Sequence, residues 1–121
     1  MSAADPITTS VLRREGVAVV TIGGEIDLST APAFEAAIAG ALDDGPLVLV
    51  IELSEVSFMA SVGLRILAAT HEKVSKSAQV AIVANNPATS RPMQLTGLDK
   101  VMALYPTLDD ALTAVGTDGK N

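Results

Sequence analysis

Two stretches of nearly unbroken apolar sequence constrain this chain most. Residues 47–53 read Leu-Val-Leu-Val-Ile-Glu-Leu, and residues 79–84 read Gln-Val-Ala-Ile-Val-Ala. A strand with one face in water alternates apolar and polar side chains. A continuous run of this length therefore predicts a strand covered on both faces. Such strands belong in a parallel sheet, because the crossover between parallel neighbours lays a helix against the sheet.

The rest of the chain supplies the helices and an opening hairpin. Residues 11–14 and 17–22 are short β-rich runs on either side of Glu15-Gly16, a hairpin pattern, and Gly23-Gly24 is expected to end the second run. Ser29 or Thr30 can cap a following helix with Pro32 in its first turn, where a missing N–H costs least. Phe34, Ile38 and Leu42 recur at four-residue spacing and mark its buried stripe. Asp43-Asp44-Gly45-Pro46 is turn chemistry before the first apolar run.

A second helix is predicted over residues 62–75, burying Leu64, Leu67, Ala68 and His71. After the second apolar run, Asn85-Asn86-Pro87 turns the chain into a short helix that stops at Gly97. Pro92 would remove a hydrogen bond from that helix, which moves its expected start to a cap at Ser90. Residues 101–105 form a last strand, and Thr107 with Asp110 opens a final helix through Val115. The expected fold is α/β, a single domain with the order β-β-α-β-α-β-α-β-α and a mixed, mainly parallel sheet packed with helices. The domain is expected over residues 11–115, with flexible tails at 1–10 and 116–121.

Composition excludes several function classes. Apolar residues make up 49% of the chain, yet there is no Trp, one Tyr and two Phe, so the core must be aliphatic. Cysteine is absent, which removes thiol chemistry and any dependence on an oxidising compartment. The formal charge of −6 would repel phosphate backbones, and stacking platforms are missing, so direct nucleic-acid binding is not expected. No apolar run approaches the ~18 to 20 residues of a membrane span. The first residues lack the basic cluster and apolar segment of a signal peptide, and a cytoplasmic protein without membrane attachment is expected. Nothing such as a heptad demands an oligomer, so the expectation is a monomer or weak dimer.

The residues that could carry chemistry are few. Ser61 stands at a strand-to-helix junction, where a serine can be a helix cap worth ~1 kcal/mol, a nucleophile or a phosphoacceptor. A nucleophile needs a general base, and the only histidine, His71, lies inside the same predicted helix. The glycine before the serine of a nucleophile elbow is also missing. A phosphate at a helix N-terminus would be held by backbone N–H groups and the helix dipole, and would add ~1.5 to 2 negative charges. Glu25 and Asp27 could share a face as an acid–base pair, but carboxylates in turns before helices are common. Gly23-Gly24 is too short for a phosphate loop, and no cluster has metal-ligand spacing. No enzyme activity, cofactor or metal is expected, which leaves a binding module.

Three segments together resemble a known family. Gly24-Glu25-Ile26-Asp27-Leu28-Ser29-Thr30-Ala31 is similar to the Gly-Glu-Leu-Asp segment of anti-sigma factor antagonists, the domain also attached to sulphate transporters and called STAS. Residues 53–64, from Leu-Ser-Glu-Val to Ser-Val-Gly-Leu, resemble the family's strand-to-helix signature. Leu95-Thr96-Gly97-Leu98-Asp99-Lys100-Val101, with Tyr105 and residues 108–111, resembles its C-terminal portion.

The resemblance implies a partner switch. Such antagonists bind an anti-sigma factor, usually a serine kinase with a histidine-kinase-like ATPase fold, and so free a sigma factor. Phosphorylation at the strand-to-helix junction ends the binding. The family reads Asp-Ser-Ser-Gly or Asp-Ser-Thr-Gly there, and its acceptor is the second hydroxyl residue. Ungapped matching puts Ala60 at the aspartate and Val62 at the acceptor, so only Ser61 keeps its type. A valine accepts no phosphate, and Ser61 becomes the remaining candidate. The implied partner surface is Glu25, Asp27, Leu28, Ser29 and Thr30 with Ala60, Ser61, Val62, Gly63, Leu64 and Arg65. Two other readings compete: a scaffold or accessory subunit of a stress-signalling or transporter assembly, and a small-ligand or nucleotide-binding domain.

Overall fold

The computed structural model describes residues 7–115. The elements run β1 (Ile7–Arg14), β2 (Val17–Ile26), α1 (Ala31–Leu42), β3 (Val48–Met59), α2 (Ser61–Val74), β4 (Gln79–Val83), α3 (Pro87–Leu95), a 3₁₀ turn (Leu98–Lys100), β5 (Ala103–Tyr105) and α4 (Leu108–Ala114). The five strands form one sheet in the order β1-β2-β3-β4-β5. β1 pairs antiparallel with β2, and the other neighbours are parallel. This is the mixed, mainly parallel α/β sheet expected above.

Much of β2, β3 and β4 is apolar on both sides because both sides are covered. Ala18, Val20 and Ile22 of β2, Leu49, Ile51 and Leu53 of β3, and Val80 and Ile82 of β4 enter the larger core with Phe34, Ile38, Leu67 and Met93 from α1, α2 and α3. Their neighbours in sequence, Val17, Val19, Val48, Val50, Ala81 and Val83, form a second cluster with Ala111 of α4. Full burial of each Val, Leu, Ile, Phe or Met side chain among them stabilises the fold by about 1.5–3 kcal/mol. Beyond Val19 and Val50 the second face changes character: Thr21 and Glu52 are half-buried partners there.

Several boundaries differ from the sequence reading. Residues 7–10, expected in the tail, are the first half of β1; residues 1–6 and 116–121 lie outside those described. Gly23-Gly24 does not end β2, which continues to Ile26 through two register shifts against β3. β3 likewise runs to Met59, six residues past the expected Leu53. Glu15 (φ 50°) and Gly16 (φ 84°) both take positive φ, as a tight hairpin turn of the expected kind requires.

α3 starts at Pro87, not after Ser90, because the Asn86 side chain caps it by accepting from the Ala88 N–H at 2.8 Å. Pro92 is tolerated within the helix, whose neighbouring turns bury Thr89 and Met93. Gly97 (φ 80°) ends that segment as anticipated, but a 3₁₀ turn follows, and β5 is shorter than expected. In α2 the buried residues are Gly63, Ile66, Leu67 and Val74, while Leu64, Ala68 and His71 are only half-buried. The helix is turned so that Gly63, rather than Leu64, faces the sheet.

Candidate functional site

Because β2 and β3 are parallel, both strands end on the same side of the sheet and both run directly into helices. The Ala60 N–H donates to the Ile26 carbonyl at 2.8 Å, which ties the two junctions together. Residues 25–30 and 60–65, expected to share a surface, are thereby brought to one end of the molecule.

The first junction is fastened by polar bonds. Asp27 Oδ1 accepts from the Ser29 hydroxyl at 2.6 Å, the Ser29 N–H at 2.9 Å and the Thr30 N–H at 3.2 Å. This is the local turn an aspartate side chain favours. Thr30 is 2% exposed, and its hydroxyl donates to the Glu25 carbonyl at 2.8 Å while accepting from the Asp27 N–H at 2.9 Å. Thr30 does occupy the cap position of α1, but its hydroxyl faces back into the turn and makes no cap bond. The hydrogen bond from the Ser29 hydroxyl is the main reason the Asp27 carboxyl titrates below the usual range; the N–H groups of Thr30 and Ser29 add to it, and desolvation opposes it. Glu25, Leu28 and Ser29 are exposed beside this turn.

No side chain caps the second junction. Ala60 occupies the cap position of α2 with an extended backbone (φ −78°, ψ 169°), and its methyl accepts nothing. Ser61, expected as the cap, is instead the first residue of the helix and exposed. It does not cap α2, because β3 runs on to Met59 and leaves Ala60 at the turn. Packing holds α2 in place. A Cβ built on Gly63 would lie 2.8 Å from Met59 Cγ and 2.9 Å from Ile26 Cγ2, so only glycine allows the first turn of α2 to sit this close to the strand ends. Val62 and Leu64 are half-buried at the edge of the core, and Arg65 is exposed.

The end of the sheet also carries Phe58, which the sequence reading did not place in the surface. It is 50% exposed and is the register partner of Glu25. Simple alternation from the buried Val56 would have turned it inward, so nothing short of the strand's irregularity marks it.

His71 is half-buried on α2, and the described residues contain no group of three or more metal-ligating side chains. A cleft of about 460 Å³ between α1 and α2 is lined by residues including Glu35, Ile38, Leu42, Ile66 and Lys73, none of them from the junctions. No helix among the described residues is long and apolar enough to cross a membrane.

The STAS domain family profile matches residues 8–111. The chain belongs to the STAS domain family. It is 55% identical over 115 residues to the anti-sigma-F factor antagonist RsfB of Mycobacterium tuberculosis, covering 95% of this chain and 94% of that protein. The crystal structure of an anti-sigma factor antagonist from Mycobacterium paratuberculosis has a TM-score of 0.87 at 59% identity, with 95% of this chain and 98% of that one covered. Unphosphorylated SpoIIAA, an anti-sigma factor antagonist, shares the fold at a TM-score of 0.74 and 19% identity, covering 94% of this chain and 100% of that one. In this STAS domain the first two segments that carried the resemblance, residues 24–31 and 53–64, meet at the two junctions. The third, residues 95–101, spans the end of α3 and the 3₁₀ turn.

Proposed function

We propose that this STAS domain is an anti-sigma factor antagonist, which binds an anti-sigma factor through its two strand-to-helix junctions and thereby frees a sigma factor. The observation that carries the reading is the 55% identity to an anti-sigma-F factor antagonist along 95% of the chain. The geometry supports the assignment of surface. The Asp27 turn is held by its own hydrogen bonds, so it presents Glu25, Leu28 and Ser29 without an ordering cost at the moment of binding.

The partner on this reading is a serine kinase with a histidine-kinase-like ATPase fold, and the encounter takes place in the cytoplasm. The antagonist itself catalyses nothing. Ser61 is the hydroxyl on which such a kinase would act, since Val62 has none. A phosphate on Ser61 would stand at the first turn of α2, where no side chain accepts from the free N–H groups, and where the helix dipole favours negative charge. Its bulk and charge would then oppose a partner fitted closely to the neutral hydroxyl.

The test is to capture the tagged protein from its own cells, identify what co-purifies and record the intact mass of the captured chain. A kinase-like anti-sigma factor in near-equal amount, lost on Asp27→Ala or Ser61→Trp, is the expected result. One added phosphate mapped to Ser61 would place the switch there, and an unmodified chain would mean control by another signal. A large assembly or membrane subunits in place of an anti-sigma factor would overturn the reading.

A further inference from the structure

The two register shifts in β3 have a directional consequence. Thr21 pairs with Glu52, Gly23 with Glu55, Gly24 with Val56, and Glu25 with Phe58. From Thr21 to Gly23 β2 advances two residues while β3 advances three, and from Gly24 to Glu25 β2 advances one while β3 advances two. Each extra residue re-aims the side chains that follow it. Val56 and Met59 are both buried, at 1% and 6% exposure, although they stand three residues apart, a spacing that an unbroken strand would put on opposite faces. The residue that yields is Phe58, which is turned out to half exposure, whereas the chain's other phenylalanine, Phe34, is fully buried.

Across the strands from Phe58 stands a carboxylate. Glu25 is its partner across the strands and is exposed. Glu55 is also exposed, and its side chain lies over Gly23, where an added Cβ would come within 3.2 Å of Glu55 Cβ and 2.7 Å of Thr8 Oγ1. Neither Glu25 nor Glu55 makes an ion pair among the described residues. Between Arg14 and Arg65 the chain contains no lysine or arginine at all, so β2 and β3 present carboxylates with nothing of opposite sign on either strand. The patch is continuous with the second junction, since Phe58 precedes Met59 and Ala60 directly.

We propose that Phe58 is an apolar anchor for the anti-sigma factor, which offers it a socket of aliphatic or aromatic side chains edged by Lys or Arg facing Glu25 and Glu55. The inference rests on the function proposed above and extends the contact from the helix starts onto the outward face of the β2–β3 end. Aromatic side chains are enriched at the desolvated centre of interfaces, and a charged rim of opposite sign sets approach and register.

The experiment measures binding of the purified chain to the anti-sigma factor captured with it, alongside thermal melting of each variant. Phe58→Ala should weaken binding by about tenfold or more while the melting temperature stays near that of the wild type, and Phe58→Leu should retain most of the affinity. Glu25→Gln should slow association at low salt and flatten its salt dependence. Wild-type affinity in Phe58→Ala would overturn the inference while leaving the proposed function standing. Equal losses in Phe58→Ala and Phe58→Leu together with lowered melting would also overturn it, because the role would then be structural. Failure of the wild-type chain to bind any anti-sigma factor would instead remove the function on which the inference depends.

Discussion

The β2–α1 and β3–α2 junctions lie side by side, joined by the hydrogen bond from Ala60 to Ile26, yet opposite means hold them. The first is a closed polar turn in which the Asp27 and Thr30 side chains each accept from the other's backbone N–H and the Thr30 hydroxyl donates to the Glu25 carbonyl. The second has no side-chain cap, and its helix is positioned by the contact of Gly63 with Met59 and Ile26. One surface is thereby both rigid and open. Polar closure fixes the shape of the first loop, while packing from beneath fixes α2 without using the groups that point outward at its start.

Substitutions that attack each means of attachment should differ in the size of their effect. Gly63→Ala places a methyl group within 3 Å of two buried side chains. It should lower stability by about 1–3 kcal/mol in urea denaturation, Met59 giving way more readily than the β-branched Ile26. An unchanged midpoint would mean that α2 is not seated by that contact.

Thr30→Val keeps the shape but leaves the Asp27 N–H and the Glu25 carbonyl without the hydroxyl they share. A loss of about 1–2 kcal/mol is expected by the same measurement. A neutral result would show that the first junction, like the second, is held by packing.

Ala60→Asp should act in the opposite direction. The backbone at Ala60 is already extended as a cap requires, so a carboxylate there should stabilise the chain by about 1 kcal/mol. A decrease in stability would show that the second junction has no room for polar closure.

The smallest effect belongs to the charge of Asp27, which water screens. Its carboxyl titrates below the usual range in the folded chain, so its contribution to stability is present above the ordinary aspartate value near 3.8 and is lost as pH falls through the lower folded value. Urea midpoints at pH 7 and pH 3 should therefore differ less in Asp27→Asn than in the wild type. Equal differences would mean that the Ser29 and Thr30 bonds do not distinguish a carboxylate from an amide.

Local chemistry was legible wherever a few neighbouring residues settle the matter. Thr107 caps α4 as read, accepting from the Asp110 N–H at 3.0 Å, because a threonine hydroxyl and an N–H three residues on meet through backbone geometry alone. Glu15-Gly16 turns the hairpin for the same kind of reason. Ser61 misled for an equally local reason: a serine after a strand matches a cap, and whether it stands at the cap or one residue later depends on where the strand stops. Pro92 alone argues for a late start to α3, but the Asn86 cap and the burial of Thr89 and Met93 outweigh one missing hydrogen bond.

By itself, then, the amino-acid order determined the class of sheet and the order of its strands and helices, and the resemblance it carries implied one surface from residues 25–30 and 60–65. Covered strands must be apolar on both faces, and parallel strands must end together. Only the tertiary structure decided that β2 passes through Gly23-Gly24, that β3 reaches Met59 by way of two extra residues, and that Phe58 therefore faces out while Gly63 faces in. Those outcomes depend on how two strands distant in sequence compete for the same core, and no pattern within either strand records the register at which they settle.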